Sequence, residues 1–405
     1  MRVGVAGFQP ERLMQARLCR GITQMALGAM VGRSASTISK WEKGNQQPEA
    51  DAHAQLALCL GLPAAWFLKP VPFCGDGVTF FRSNASVTKE AQLIALIRLK
   101  WLNEISLVMQ RWIDWPAINL PVISKSDHRT ISDEEIERAA LQTRERWKLG
   151  LGPISDLILA MENAGIICTR EELGFARMDG ASRWFETDQR PYVFLAADKA
   201  NGVRSRFDAA HELAHLILHG SVDGPEFFKR HPELERQAHL FASAFLLPAE
   251  SFAAEIVRPS LDTFVALKSR WKVSIGAMIM RCRQLGIVGD DYATRLWKNY
   301  SARGWRKGEP LDDQVPFEPV RLLTRAVHLV VSEGGVTKET VLSAIGLSAT
   351  DTESLCGLTE GYFSQQPHAA SVHQLRFKSD HSSRYGIAVG RDGEVIPFPG
   401  PRRTP

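Results

Sequence analysis

The feature that most constrains this chain is a set of histidines inside an apolar segment. Residues 204–220 read RSRFDAAHELAHLILHG, in which His211, His215 and His219 recur every four residues and Glu212 follows the first. Residues four apart lie on one face of an α-helix. Because unpaired imidazoles and a carboxylate are costly to bury among alanine and leucine side chains, the segment predicts a helix whose polar face has a chemical function.

The H-E-x-x-H spacing is typical of a zinc site. It places the imidazoles of His211 and His215 on one ion, which lowers the pKa of a bound water toward ~7. Glu212 can then take the proton of that water as it attacks a peptide carbonyl, and can return the proton to the leaving amine. His219 lies one turn further along the axis, ~6 Å at ~1.5 Å per residue, so we predict that it supports the site through a hydrogen bond.

A catalytic zinc site of this kind requires a third protein ligand. The next predicted helix, which begins near Leu234, offers Glu235 and His239, again four apart on one face. His231 and Glu233 are close in sequence, but we expect them before or at the start of that helix. The spacing alone does not choose between Glu235 and His239.

These segments resemble a known family. RFDAAHELAHLILH followed by E-x-x-A-x-x-F-A-x-x-x-L-L-P is similar to the ImmA/IrrE family of zinc metallopeptidases, which are gluzincin-like, and the similarity is clear over residues 150–250. The resemblance implies that Glu235 is the third ligand. His239 stands where the family often has Asn, so we expect it to support the site or to compete as a ligand. The resemblance also implies that the peptidase cleaves a repressor or antitoxin protein, relieving repression in stress or mobile-element control.

Side chains that stabilise the charge of the transition state are harder to assign. Such support, or support of the zinc ligands, is predicted to come from four residues: His239, His219, Tyr192 and Arg206. Each can donate a hydrogen bond to a developing oxyanion or to a ligand. For Arg206 the alternative is a salt bridge or a surface position.

A second motif lies near the N-terminus, in TQMALGAMVGRSASTISKWEKG. Thr23 and Ser34 can cap two short helices, and Gly32 suits the turn between them. Leu27 and Ile38 should pack the helices together. The second helix opens with small polar residues, so its N-terminus can approach base edges in a major groove and its N–H groups can meet phosphate.

This stretch resembles the Cro/C1-type (Xre family) helix-turn-helix domain over roughly the first 68 residues. One departure is Gly28, where the family usually has Ala, at a cost of ~1 kcal/mol in helix propensity. Residues 1–70 carry a basic excess that equals the net charge of the whole chain, +4, and fits a polyanionic partner. The residues predicted to contact DNA are Gln24, Ser34, Ala35, Ser36, Thr37 and Lys40. The alternative is a helical bundle used for dimerisation or protein contact.

Prolines and changes of pattern predict the domain boundaries. We expect a helix-turn-helix domain in residues 1–70, a helical linker or scaffold in 71–150, and a metallopeptidase domain with a helical extension in 151–310. Residues 311–405 are predicted to form a C-terminal α/β region of unknown role, with a β-like segment near Tyr385–Pro397. The predicted fold class is mainly α with a small β-sheet (α+β).

Composition favours a cytoplasmic protein. No apolar run approaches the ~20 residues of a membrane helix, and no secretory signal is visible. The six cysteines are scattered without a C-x-x-C pair, which suits reduced thiols. The sequence therefore predicts a regulator that binds operator DNA as a homodimer and carries a zinc endopeptidase. The alternative is a transcription factor whose zinc site is structural or sensory and which has no proteolytic activity.

Overall fold

The computed structural model describes residues 4–75, 77–83, 88–121, 131–174, 178–198 and 201–364. In this part of the chain the α-helices are α1 Pro10–Cys19, α2 Gln24–Met30, α3 Ala35–Glu42, α4 Ala50–Leu60, α5 Lys89–Met109, α6 Asp133–Arg146, α7 Leu157–Asn163, α8 Gly202–Leu218, α9 Gly224–Leu246, α10 Ala249–Glu255, α11 Leu261–Trp271, α12 Ile275–Gln284, α13 Asp290–Ala302, α14 Leu322–Ser332, α15 Lys338–Ile345 and α16 Ala349–Cys356. Short 3₁₀ helices cover Ala64–Leu68 and Asp312–Gln314, and the strands are β1 Phe80–Ser83, β2 Ile167–Glu171, β3 Met178–Phe185 and β4 Arg190–Ala196. The predicted fold class, mainly α with a small sheet, is confirmed. None of the described helices is both long and apolar enough to span a bilayer.

The four strands form one mixed sheet in the order β1-β3-β4-β2. β3 pairs antiparallel with β1 and with β4, whereas β2 pairs parallel with β4. Successive side chains of a strand point to opposite faces. Ser182 and Trp184 of β3 therefore reach α8, while Ala181 and Phe185 join the core formed with α5. The sheet thus lies between α5 and α8.

α8 contacts the sheet on one side and α9 on another. Leu213 and Ala214 of α8 and Phe241 and Phe245 of α9 are fully buried in one core. The apolar residues between the histidines of α8 thereby anchor the helix on both sides. This packing holds the histidine-bearing face of α8 beside α9.

α9 begins much earlier than predicted, at Gly224 rather than near Leu234. Pro232 lies inside the helix. A proline lacks the N–H that an inner helical position donates, so it usually marks a helix end, but here the helix continues through it. The expectation that His231 and Glu233 lie before or at the start of this helix is therefore wrong, because both lie well inside α9.

The N-terminal helices form as their caps predict. The side chain of Thr23 accepts from the backbone of α2 and that of Ser34 from the backbone of α3, each at 3.1 Å. Leu27, Ile38 and Trp41 are fully buried. α2, α3 and the turn between them therefore form the expected helix-turn-helix.

Gly28 lies where α2 approaches the backbone of that turn. A Cβ atom added there would lie 2.6 Å from the carbonyl oxygen of Arg33 and 3.2 Å from the backbone nitrogen of Ala35. The N–H of Arg33 donates to the carbonyl of Gly28 at 2.8 Å, which holds the two segments together. Propensity alone suggests that this glycine only weakens α2, but its lack of a side chain permits the close approach.

Gly28→Ala is therefore expected to destabilise the protein. Overpacking costs ~1–3 kcal/mol, which should exceed the ~1 kcal/mol that alanine gains in helix propensity. The free energy of unfolding in denaturant measures the change. Gly224→Ala is the control, because an added Cβ at that position meets nothing within 4 Å. A Gly28→Ala protein at least as stable as the wild type would contradict this expectation.

The helix-turn-helix is fastened to α5, the long helix behind the sheet. Arg12 of α1 donates to both carboxylate oxygens of Glu104 in α5, at 2.7 and 2.8 Å, and both side chains are buried. Arg20, just after α1, donates to both oxygens of Asp351 in α16, at 3.0 and 2.6 Å. The helix-turn-helix thus rests on the same scaffold as the sheet.

The helices α14, α15 and α16 pack against α5, and α14 and α16 also contact β2. They are part of the scaffold, a role that the sequence did not indicate. The β-like segment predicted near Tyr385–Pro397 lies outside the described residues. The domain boundaries predicted near residues 70, 150 and 310 stay predictions.

Candidate metal centre

α8 and α9 bring the three predicted ligands together. The Nε2 atoms of His211 and His215 lie 3.1 Å apart, and each lies 3.3 Å from one carboxylate oxygen of Glu235. Both imidazoles are fully buried, whereas 22% of the Glu235 side chain is exposed. The four-residue spacing aligns the two rings on α8, and the neighbouring helix supplies the carboxylate.

The spacing of these atoms fits a tetrahedral metal ion. Zinc binds imidazole nitrogen and carboxylate oxygen at ~2.0–2.2 Å, so two ligand atoms of a tetrahedron lie ~3.3–3.6 Å apart. Burial lowers the pKa of His211 and of His215, so both rings are neutral. Two neutral imidazoles and a carboxylate are a donor set that zinc takes.

Glu212 follows the first ligand and lies against β3. Ser182 Oγ donates to Glu212 Oε2 at 2.5 Å, whereas the buried Oε1 has no hydrogen-bond partner in the described part of the chain. Gly180 makes room for it, since a Cβ there would lie 3.2 Å from Oε1. Burial raises the pKa of Glu212 to about 8, although the hydrogen bond from Ser182 acts in the opposite direction. A carboxyl with a pKa near neutrality can both take and give a proton.

His239 lies one turn beyond Glu235 on α9. Its ring centroid is 4.7 Å from that of His211. Donor atoms of His211, Glu235 and His239 all lie within 4.8 Å of one another. The group that includes His215 is tighter, with separations of 3.1 and 3.3 Å. The geometry favours Glu235 as the third ligand, but the choice stays a prediction.

His219 follows the last residue of α8 and contacts a predicted ligand. Its Nδ1 lies 2.9 Å from Nδ1 of His215, and its Nε2 lies 2.8 Å from Oε1 of Gln237. The ring is fully buried. A hydrogen bond within the site was predicted for His219, whereas Gln237 was not predicted, because one glutamine on a polar helix face carries no signal in sequence.

The structure does not bring Tyr192 and Arg206 to the site, and their predicted support of the transition state is corrected. Tyr192 is on the face of β4 that packs toward α5, where its hydroxyl donates to Asp188 at 2.5 Å. Arg206 lies five residues before His211 and so faces another side of α8. It donates to the carbonyl of Ile154 at 2.7 Å and pairs with the carboxylate of Glu318. The alternation of side chains along β4 points Tyr192 away from the predicted ligands, and the rotation of residues around α8 does the same for Arg206.

β1 contributes two side chains that were not predicted. The ring of Phe80 stacks on the imidazole of His215, with centroids 4.5 Å apart and planes 10° apart. Arg82, two residues on and on the same face, pairs with Asp208 of α8 at 2.6 Å. The aromatic residues of VTFFRS are typical of a strand, but a four-residue strand far from the motif in sequence gave no reason to place it at the site.

An open cavity of about 930 Å³ adjoins this group. Arg82, Asp208 and His239 line the part near the predicted ligands. Aromatic and charged side chains of α13 and the following turn form another wall: Trp297, Tyr300, Trp305 and Lys307. The volume lies within the range of ligand-binding clefts.

α3 presents most of the residues predicted to contact DNA. Ser36 and Lys40 are exposed one turn apart, and Ala35 and Thr37 are half-buried beside them. Ser34 is also exposed while its oxygen caps the helix. The N-terminus of α3 is therefore open to a polyanion.

Gln24 is held at the start of α2 by a polar contact. Its Nε2 donates to Oε2 of Glu42 at 2.6 Å, and Arg17 donates to the other oxygen of Glu42 at 2.5 Å. The amide oxygen of Gln24 can still accept from a partner, so its predicted DNA contact stays a prediction.

Two family models match the chain. Residues 164–283 match the IrrE N-terminal-like domain of the M78 peptidases, and residues 13–67 match the helix-turn-helix. The chain joins a DNA-binding helix-turn-helix to an IrrE-like peptidase domain. The predicted architecture is thereby confirmed. The IrrE-like match includes α8 and α9 with all the ligand candidates, whereas β1 and α5 lie outside it. No curated protein is similar enough to the chain to count as a match.

Proposed function

We propose that this protein is a DNA-binding transcriptional regulator whose IrrE-like domain is a zinc-dependent endopeptidase. The main support is the spacing of 3.1–3.3 Å among the nitrogen atoms of His211 and His215 and the carboxylate of Glu235. The matches to a peptidase family and to the helix-turn-helix support the two activities separately.

His211, His215 and Glu235 would hold the ion. Bound zinc supplies Lewis-acid chemistry, since it polarises a peptide carbonyl and makes water more acidic. Glu212 carries the proton: its free Oε1 accepts one from the attacking water, and the carboxyl returns it to the leaving amine. Ser182 engages the other oxygen of Glu212, which leaves Oε1 available.

The proposed substrate is a repressor or antitoxin protein, cleaved in the cytoplasm to relieve repression in a stress response or in mobile-element control. The resemblance to the ImmA/IrrE family suggests this class, and the cavity beside His239 offers a place for an extended segment. The buried pairing of Arg12 with Glu104 holds the DNA-binding helices on the peptidase scaffold. Binding to the operator would therefore raise the effective concentration of the peptidase near repressor on the same DNA.

The peptidase proposal is tested by labelling protein N-termini after incubation. Proteins extracted from the cell of origin are incubated with the zinc-loaded wild type or with the Glu212→Gln variant, and new N-termini are identified. New N-termini in a transcriptional repressor or antitoxin, formed only with the wild type, would support the proposal. Identical N-termini in both samples would leave the structural or sensory zinc site as the better account.

The DNA-binding proposal predicts a salt-dependent loss for Lys40→Gln. If the exposed ammonium of Lys40 meets a phosphate, its loss should weaken binding to all duplexes and reduce the slope of log affinity against log salt by ~1. Fluorescence anisotropy with a random-sequence duplex measures both quantities. Lys89→Gln, at the exposed start of α5, is the control. An unchanged slope for Lys40→Gln would count against the phosphate contact.

Binding as a homodimer is part of the proposal, because helix-turn-helix proteins commonly read two half-sites with two copies. The mass of the complex on a duplex that carries the operator, measured by light scattering, gives the number of chains bound. One chain per operator would contradict the homodimer.

A further inference from the structure

A chain of hydrogen bonds leads from the exposed side of α9 to the predicted zinc ligand His215. It runs from Glu233 to Gln237, then to His219 and then to His215. The side chains of Gln237, His219 and His215 are at most 1% exposed. This series of hydrogen bonds also joins the end of α8 to α9, the two helices that must converge at the site.

Glu233, the first acceptor in this series of hydrogen bonds, determines how the amide of Gln237 is oriented. Arg236 donates to both oxygens of Glu233, at 3.1 and 3.0 Å, so this carboxylate is ionised and can only accept. Nε2 of Gln237 donates to Glu233 at 3.2 Å. The amide oxygen of Gln237 therefore faces His219 and lies 2.8 Å from its Nε2.

The orientation of Gln237 decides the proton positions of both histidines. An amide oxygen only accepts, so Nε2 of His219 carries a proton. His219 is fully buried, and a charged imidazolium is costly to bury, so the ring is neutral and its Nδ1 has the lone pair. Nδ1 of His215, 2.9 Å away, must then be the donor. This leaves the lone pair of His215 on Nε2, the atom that lies 3.1 Å from Nε2 of His211 and 3.3 Å from Glu235.

We infer that Gln237 and His219 are positioning residues: they hold His215 in the tautomer whose Nε2 can bind a metal ion. The inference rests on the proposed zinc site. The stacked ring of Phe80, 4.5 Å from that of His215, holds the same imidazole in plane. His211 differs, because its buried Nδ1 has no hydrogen-bond partner in the described part of the chain. Of the two predicted histidine ligands, His215 is therefore held by a hydrogen bond at Nδ1, whereas His211 is not.

The tautomer is measured first, without zinc. The protein is labelled with ¹⁵N-histidine, and long-range ¹H–¹⁵N correlations report which ring nitrogen is protonated; the His215 signals are those lost in His215→Gln. We expect the Nδ1–H tautomer at His215 in the wild type and a shift toward the Nε2–H tautomer in His219→Leu. An Nε2–H tautomer in the zinc-free wild type would overturn the inference.

Zinc affinity is measured next, by competition with a chromophoric chelator. The side chains in His219→Leu and His219→Asn have the same number of heavy atoms and the same branching at Cγ, but only the asparagine oxygen can accept from Nδ1 of His215. We expect His219→Leu to weaken zinc binding by ~10–100-fold, as loss of a hydrogen-bond partner of a metal ligand does, and His219→Asn to recover most of that loss. Equal affinities for the two variants would overturn the inference, since packing alone would then explain the effect.

Three further variants secure the interpretation. Gln237→Met removes the acceptor at the second link and should weaken zinc binding in the same direction, which decides the matter if His219→Leu does not fold. Gln237→Glu keeps an acceptor and should bind zinc more tightly than Gln237→Met. His53→Leu removes a buried histidine of α4 that bonds to the carbonyl of Ala64 at 3.0 Å, and its zinc affinity should not change. A wild type that binds no zinc would contradict the proposed function, whereas the tautomer experiment would still decide the role of His219.

Discussion

Replacing Glu212 with glutamine is expected to abolish peptidase activity while zinc remains bound. The amide has the shape of the carboxyl, so it still accepts from Ser182 and still fits against Gly180. An amide cannot accept a proton from the attacking water or return one to the leaving amine. Loss of a general acid–base group lowers the rate by ~10²–10⁴-fold.

The measurement pairs cleavage rate with zinc content for the same preparation. Once a cleaved protein has been identified, a peptide that spans its new N-terminus serves as the substrate. Glu250→Gln, an exposed position on α10, is the matched control and should cleave at the rate of the wild type. If Glu212→Gln cleaves at the wild-type rate, Glu212 is not the general base. If it loses zinc, the loss of activity cannot be assigned to proton transfer.

Glu235→Ala is expected to empty the metal site, whereas His239→Ala should leave it occupied. The carboxylate of Glu235 lies 3.3 Å from the Nε2 atoms of both histidines and completes the tighter group. Loss of a direct ligand should weaken zinc binding by more than the ~10–100-fold that loss of a supporting hydrogen bond costs. His239→Ala should not exceed that range.

Zinc dissociation constants of the two variants, from chelator competition, test this order. Circular dichroism of the zinc-free proteins checks that each variant folds, and Glu250→Ala serves as a control for loss of a carboxylate elsewhere. The reverse order, with a larger loss in His239→Ala, would make His239 the third ligand. The cluster of His211, Glu235 and His239 within 4.8 Å would then be the metal site.

Much of the candidate site could be predicted from the sequence because it is local. His211, Glu212 and His215 belong to one turn of one helix, and helical geometry alone places the two imidazoles on one face. The caps Thr23 and Ser34 act on the N–H groups three residues later, so the helix-turn-helix could also be predicted from the sequence. In both cases the signal lies within a few residues.

The rest of the site could not be predicted because it depends on strand pairing and on packing between distant elements. Ser182 contacts Glu212 only because alternation along β3 points it toward α8. Phe80 reaches His215 only because β1 pairs with β3 at the edge of the sheet. Tyr192 was misplaced for the same reason, since its position on β4 turns it to the opposite face.

The sequence by itself determined the composition of the centre: two imidazoles and a carboxylate on α8, a second helix with candidate ligands, and a DNA-binding motif before them. Only the tertiary structure decided that the carboxylate of Glu235 comes within 3.3 Å of both Nε2 atoms, that His219 and Gln237 stand behind His215, and that Arg12 and Glu104 fasten the DNA-binding helices to α5. The physical reason is the separation along the sequence over which each interaction acts. Helical periodicity acts over four residues, whereas these contacts depend on how buried apolar faces pack elements that are far apart in the chain.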